Sequence, residues 1–132
     1  MTARERFASA RVARLATTGP DGPHVVPIVF AVAGDTIYHA VDHKPKRTTA
    51  LKRLANLRAD PRASVLADHY QEDWTLLWWA RADGTARILE PGFPEAIELL
   101  RERYPQYRKR PPEGPVVAID VTRWSDWTAS GG

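Results

Sequence analysis

The sequence contains no cysteine, which removes disulfide frameworks, thiolate metal sites and cysteine nucleophiles together. No apolar run approaches the roughly 18 residues that a membrane-spanning helix needs, and the opening MTARERFASA lacks the apolar centre of a secretory signal. A cytoplasmic protein with no membrane partner is the expectation. A glycine-flanked serine and a GxxxxGK loop are also missing, so neither a hydrolase elbow nor a P-loop site is available. His24, His39, His43 and His69 lack the close spacing of metal ligands. Asp21, Asp68, Glu72 and Asp73 fall near predicted loops, with no spacing that makes them a catalytic pair. Charge of one sign is in slight excess only, 19 Lys and Arg against 16 Asp and Glu, for a formal +3. That excess favours phosphate-bearing ligands without requiring nucleic acid.

With 132 residues, 43% of them hydrophobic, the chain can build one core but not two comfortable domains. A single domain over 1–132 is expected, with 129–132 as a loose tail. Residues 3–9 read as a short helix. Residues 11–17 alternate with Ala13, Leu15 and Thr17 on one side, and Gly19-Pro20-Asp21-Gly22 carries turn chemistry into a second strand over 24–32. Gly34-Asp35 turns into a third strand over 36–41, which predicts a three-stranded meander. Over 48–58 the spacing of Leu51, Leu54 and Ala55 becomes helical, and Asp60-Pro61 ends it. Strands follow over 63–69, 76–82 and 85–89, the last two joined as a hairpin through Asp83-Gly84. A helix begins at Pro94 and ends before Pro105, and a last strand covers 116–122. The fold class is mainly β with inserted helices: six or more strands in a small closed or split barrel.

The stretch VDHKPKRTTALKRL, 41–54, is the most informative. Lys44, Lys46 and Arg47 surround Pro45 where a strand gives way to a helix, and backbone N–H groups are free at such a helix start. Charge, donors and helix dipole together suit a phosphate. Lys52, Arg53 and Arg58 fit the solvated face of that helix. The tryptophans Trp74, Trp78, Trp79, Trp124 and Trp127 suit core or subunit interface. The basic RERYPQYRKR, 101–110, reads as a helix end and a solvated loop, although its tyrosines could also stack on single-stranded nucleic acid.

The segments RVARLATTGPDGPHVVPIVF, YHAVDHKPKRTTALKRLANLRADPRASVLADHYQEDW, WWARADGTARILE and VVAIDVTRW, in this order over nearly the whole chain, resemble the split-barrel flavin and deazaflavin oxidoreductases. These form the superfamily of pyridoxamine 5′-phosphate oxidase, and the likeness is to its actinobacterial-type branch that uses the deazaflavin coenzyme F420. The resemblance implies a homodimer with the cofactor in a groove between subunits. It implies that the backbone around Val25, Val26, Pro27 and Ile28 runs along the tricyclic ring, with Ala40 and Val41 beside the ring and its side arm. Lys46 and Arg47 fall where the family places a basic pair on phosphate, Lys44 and Thr48 support them, and Trp79 lies in a strand near the ring. Trp124 and Trp127 follow the last strand, near where related proteins close the pocket. The implied activity is hydride transfer from reduced coenzyme F420 to an unsaturated or quinone-like small molecule, chemistry that the cofactor itself performs. The alternatives are an FMN-binding oxidoreductase on the same fold, and a non-catalytic module that carries a cofactor or binds a tetrapyrrole or nucleic acid.

Overall fold

The period-two pattern of Ala13, Leu15 and Thr17 produces strand β1 (Ala13–Gly19), with these three side chains buried and Arg14, Ala16 and Thr18 turned outward. This is the arrangement throughout a computed structural model that describes residues 1–41 and 47–130 and, over 47–51, the backbone alone. The elements in chain order are α1 (Ala3–Ser9), β1, β2 (Gly22–Ile28), β3 (Ala31–Ala33), β4 (Thr36–Ala40) and α2 (Arg47–Ala59). After them come β5 (Arg62–His69), β6 (Trp78–Leu89), α3 (Pro94–Arg103), α4 (Pro105–Lys109) and β7 (Val116–Thr128). Seven strands form one antiparallel sheet in the order β2-β1-β5-β6-β7-β4-β3. It is a split barrel: among the described residues no ladder joins β2 to β3, so the sheet curls without closing.

Several expectations change. The predicted strand over 24–32 is two strands, because Val29 and Phe30 carry the chain from one edge of the sheet to the other. The predicted meander is therefore absent: β4 pairs with β3 and β7, at the far end from β2. The Asp83-Gly84 pair is not a hairpin turn but a bulge within one continuous strand, β6. There the register against β7 slips from Asp83↔Arg123 to Gly84↔Val121. A Cβ at Gly84 would sit 2.1 Å from the Asp120 carbonyl oxygen, so only glycine admits this approach. A turn does occur at Gly34, whose φ of 59° lets it link β3 to β4. The last strand extends to Thr128, which places Trp124 and Trp127 within β7, and the segment after α3 is a helix, α4.

Two cores result. The main one fills the inner face of the sheet under α1 and α2, with Phe7, Leu15, Phe30, Ile37, Val65 and Ile119 wholly buried. Phe7 meets Phe30 and Trp124 edge to face at 5.9 and 5.6 Å. Helix α1 is started by a Thr2–Glu5 capping box. On the other side of β4, Tyr38 and Ala40 join Val116, Ala118, Leu100 and Tyr107 beneath α3 and α4.

Tyr104, at the α3–α4 junction, ties these parts together. The buried Phe30 N–H donates to its hydroxyl oxygen at 3.1 Å, and that hydroxyl lies 2.9 Å from the Phe30 carbonyl and 3.0 Å from that of Arg11. Replacing Tyr104 with Phe keeps the ring but strands the Phe30 amide. Leaving a buried donor unmade costs about 1–3 kcal/mol, so urea unfolding of Tyr104→Phe should show a loss of that size.

Candidate functional site

The outward face of the sheet carries a groove with a cavity volume of about 570 Å³, within the size range of small-molecule sites. Strand alternation builds it. Val25 of β2, Ala16 of β1 and Ser64 of β5 stand in adjacent register, followed along the strands by Arg14, Leu66 and Arg81, then by Asp68, Trp79 and Trp127. Trp79 and Trp127 are direct cross-strand partners and form one wall. The small side chains of Ala16 and Ser64 leave the floor open.

The charges of the groove are paired. Arg14 lies 3.5 Å from Asp68, and Arg81 donates to Asp83 at 3.1 Å while its guanidinium stands 5.9 Å from the Trp79 ring centre. Ser64 donates to the second oxygen of Asp83 at 2.6 Å. Two cations and two carboxylates thus cancel, and what remains is an apolar slot with an indole wall. Among the described residues no three His, Asp or Glu side chains gather to hold a metal ion.

The predicted site residues fall in several places. Val25 is 59% exposed and turned into the groove, and Trp79 lines it. Val26 and Ile28 point inward and are buried, Pro27 is exposed, and β2 is an edge strand whose outer backbone is open among the described residues. Ala40 and Val41 are buried, Ala40 against the α3 side and Val41 in the main core, where its N–H donates to the Pro115 carbonyl at 3.0 Å. Lys44 and Lys46 lie outside the described residues; Arg47 and Thr48 occupy the first positions of α2, with no side chain described.

Sequence periodicity missed the underside of α2. Lys52 and Arg58 are exposed, but Arg53 is buried and hydrogen-bonds the Nε2 atom of buried His39, whose Nδ1 faces the Val29 carbonyl at 3.3 Å. One turn on, Asn56 donates to buried Thr17 at 3.1 Å. Burial, then the neighbouring Arg53 charge, lowers the His39 pKa to about 3, which keeps the ring neutral, with Nδ1 donating to Val29 and Nε2 accepting from Arg53. The spacing 53/54/56/57 was a readable stripe, although its polar members disguised it.

The fold is similar to that of a conserved hypothetical protein from Mycobacterium tuberculosis, with a TM-score of 0.74 and 27% identity over 96% of this chain and 82% of the other. It is similar to an FAD-binding protein from Mesorhizobium loti (TM-score 0.68, 20% identity, 92% of this chain and 88% of that one). It is also similar to a heme-binding protein from Mycobacterium smegmatis (TM-score 0.69, 20% identity, 98% of this chain and 57% of that one). None of the curated proteins matches. The class is that of split barrels, and the chain belongs to the pyridoxamine 5'-phosphate oxidase family, which it matches over residues 2–128.

The His39 pair gives a pH dependence with a definite sign. The folded pKa near 3 lies below the ordinary value of 6.5, so between these values the unfolded chain holds a proton that the folded chain refuses. Stability from this group is complete above pH 6.5 and falls as pH drops, by about 1.4 kcal/mol per unit. Between pH 7 and pH 5 urea unfolding should show His39 costing about 2 kcal/mol, and that increment should disappear in His39→Gln, whose amide can still donate and accept.

Proposed function

We propose that the protein is an oxidoreductase that binds a flavin-type tricyclic cofactor in the outward groove, closed by a second copy of the chain. The groove carries the reading: it is slot-shaped, apolar, walled by Trp79 and Trp127, and bordered by the open backbone edge of β2. A planar aromatic ring fits those features, because it can stack on an indole and meet backbone polar groups along its rim. When bound, such a cofactor supplies the hydride transfer. The chain binds the ring, leaves one face for a small-molecule acceptor and shields it from water.

The finer assignment is the deazaflavin coenzyme F420 as donor to an unsaturated or quinone-like molecule. Its support is the resemblance carried by the sequence segments and the KPKRT stretch, whose three cations suit a phosphodiester with a polyglutamate tail. A flavin such as FMN is the second reading, favoured by the FAD-binding relative of the same fold. Titration with F420, FMN and heme, followed by fluorescence and by the heme absorbance band, separates the readings. Tight binding of F420 alone supports the first, and binding of FMN alone replaces it with the second. Binding of heme alone overturns both. Lys46→Ala with Arg47→Ala should weaken the ligand at least tenfold, since each charge-assisted bond is worth about 1.5–3 kcal/mol. The control is Lys52→Ala with Arg58→Ala, both exposed on α2, which should change affinity much less.

The second copy follows from exposed apolar surface. Eight large apolar side chains are exposed among the described residues. Six of them, Val25, Leu66, Tyr70, Trp74, Leu76 and Trp127, lie on the groove face or on the adjoining loop 70–77. An apolar concentration of this kind marks an association surface, and a self-complementary patch on one chain gives a two-fold dimer. Light scattering should report a homodimer at micromolar concentration; a monomer there would remove this part of the proposal.

A further inference from the structure

We propose that a fork in the sheet beyond the groove is a second binding site, for the oxygen-bearing end of an uncharged small molecule, and that the electron acceptor occupies it. The fork is defined by its own geometry, and its assignment to the acceptor rests on the proposed cofactor groove. The ladder between β1 and β5 holds the pairs Arg14↔Leu66, Leu15↔Val65 and Ala16↔Ser64, yet β1 runs on to Gly19 and β5 begins earlier, at Arg62. Beyond Ala16 each strand keeps its other neighbour only: 17–19 stay with β2, and 62–63 stay with β6. The bulge of β6 lies at this point, since Ala63 pairs with Gly84, and a bulge bends and twists its strand. A cavity of about 530 Å³ occupies the fork, with Thr17, held by Asn56 of α2, in its lining. Ala16 and Ser64 line both this cavity and the groove, so one continues into the other.

The charges of the fork are matched. Arg62 donates to both carboxylate oxygens of Asp60, at 3.0 and 2.7 Å. Asp83 accepts from Ser64 on one oxygen at 2.6 Å and from Arg81 on the other at 3.1 Å, and its carbonyl accepts from the Thr122 hydroxyl at 3.2 Å. The hydroxyls of Thr18 and Thr85 differ: both line the cavity, neither makes a hydrogen bond among the described residues, and each can donate and accept. Such a lining suits a carbonyl or hydroxyl oxygen. A carboxylate would lose hydration there without gaining an unmatched cation. The Arg81–Asp83 pair stands at the boundary, Arg81 lining the indole-walled groove and Asp83 the hydroxyl-lined fork. None of the exposed large apolar side chains that mark the association surface lines the fork. A second copy seated on that surface therefore leaves the fork as the way in for the acceptor.

The probe is 2-cyclohexen-1-one, a small neutral enone, with 1-cyclohexene-1-carboxylate as its anionic counterpart, and binding to the purified chain is followed by NMR. The enone should give saturable amide shifts at Thr18, Gly84 and Thr85 and leave the indole N–H signals of Trp79 and Trp127 in place. The carboxylate should bind at least about fivefold more weakly. Thr18→Val with Thr85→Val keeps side-chain shape and strand preference while deleting both unpaired hydroxyls. This variant should melt within a few degrees of the parent and bind FMN or F420 as the parent does. It should bind the enone roughly three- to tenfold more weakly, the loss of one neutral hydrogen bond. If the pair does not fold, Thr18→Val and Thr85→Val alone are read by the same criterion. Unchanged enone affinity in folded variants, shifts confined to the tryptophans, no saturable shift at all, or tighter binding of the carboxylate would each overturn the site. A parent that binds neither FMN nor F420 but takes the enone at Thr18 and Thr85 would keep the site and overturn its assignment to an electron acceptor.

Discussion

Helix α2 is held to the sheet by a buried polar seam rather than by an apolar stripe alone, and the arrangement of the site depends on that seam. Arg53 and Asn56, three residues apart, reach His39 on β4 and Thr17 on β1, while Leu54 and Leu57 pack beside them. Apolar contacts would tolerate a rotation or slip of the helix at little cost, whereas displacing a buried guanidinium from its acceptor breaks a charge-assisted hydrogen bond. The seam thus specifies one docking of α2. Because α2 begins at Arg47, the seam also fixes where the backbone of that helix start sits.

The same seam explains what could be read in advance. β1 was legible because its alternation of Ala13, Leu15 and Thr17 coincides with burial, and the short helix expected over 3–9 is α1, which a Thr2–Glu5 capping box starts. The break of 24–32 was not legible, since Val29 and Phe30 continue a β-favouring run, and what ends the strand is distant: Tyr104 and His39 take the polar groups of those two residues. Asp83-Gly84 misled for a related reason. The dipeptide is equally suited to a tight turn and to a bulge, and only the close approach of Asp120 decides between them. Arg53 misled because an arginine at helical spacing is usually solvated, and its acceptor, His39, is fourteen positions away in sequence.

Val25 and Trp79, which the resemblance sets beside a cofactor ring, both line the groove, but the groove that joins them was not legible in the sequence. It is a product of register. Ser64, Leu66 and Asp68 carry no distinctive signal in a strand until β5 is known to lie between β1 and β6, where their outward side chains continue the rows begun by Ala16 and Arg14. The buried positions of Ala40 and Val41 have a similar origin. Strand β4 is covered on both faces, by the main core and by α3, a placement that an isolated strand pattern does not specify.

The electrostatics of the groove and of the basic stretch divide the work on the proposed reading. Within the groove Arg14 and Arg81 are each matched by a carboxylate, so the slot attracts neither sign strongly and favours a neutral aromatic plane. A phosphate placed there would have to displace Asp68 or Asp83 from its arginine. In the sequence Lys44, Lys46 and Arg47 run up to the start of α2 at Arg47, and on the proposed reading their charge adds to the helix dipole in attracting an anion. A ligand that satisfies both parts must be neutral and planar at one end and anionic at the other. Flavin nucleotides and F420 share that asymmetry, which is why the groove supports the cofactor class and the length and charge of the anionic arm decide the member.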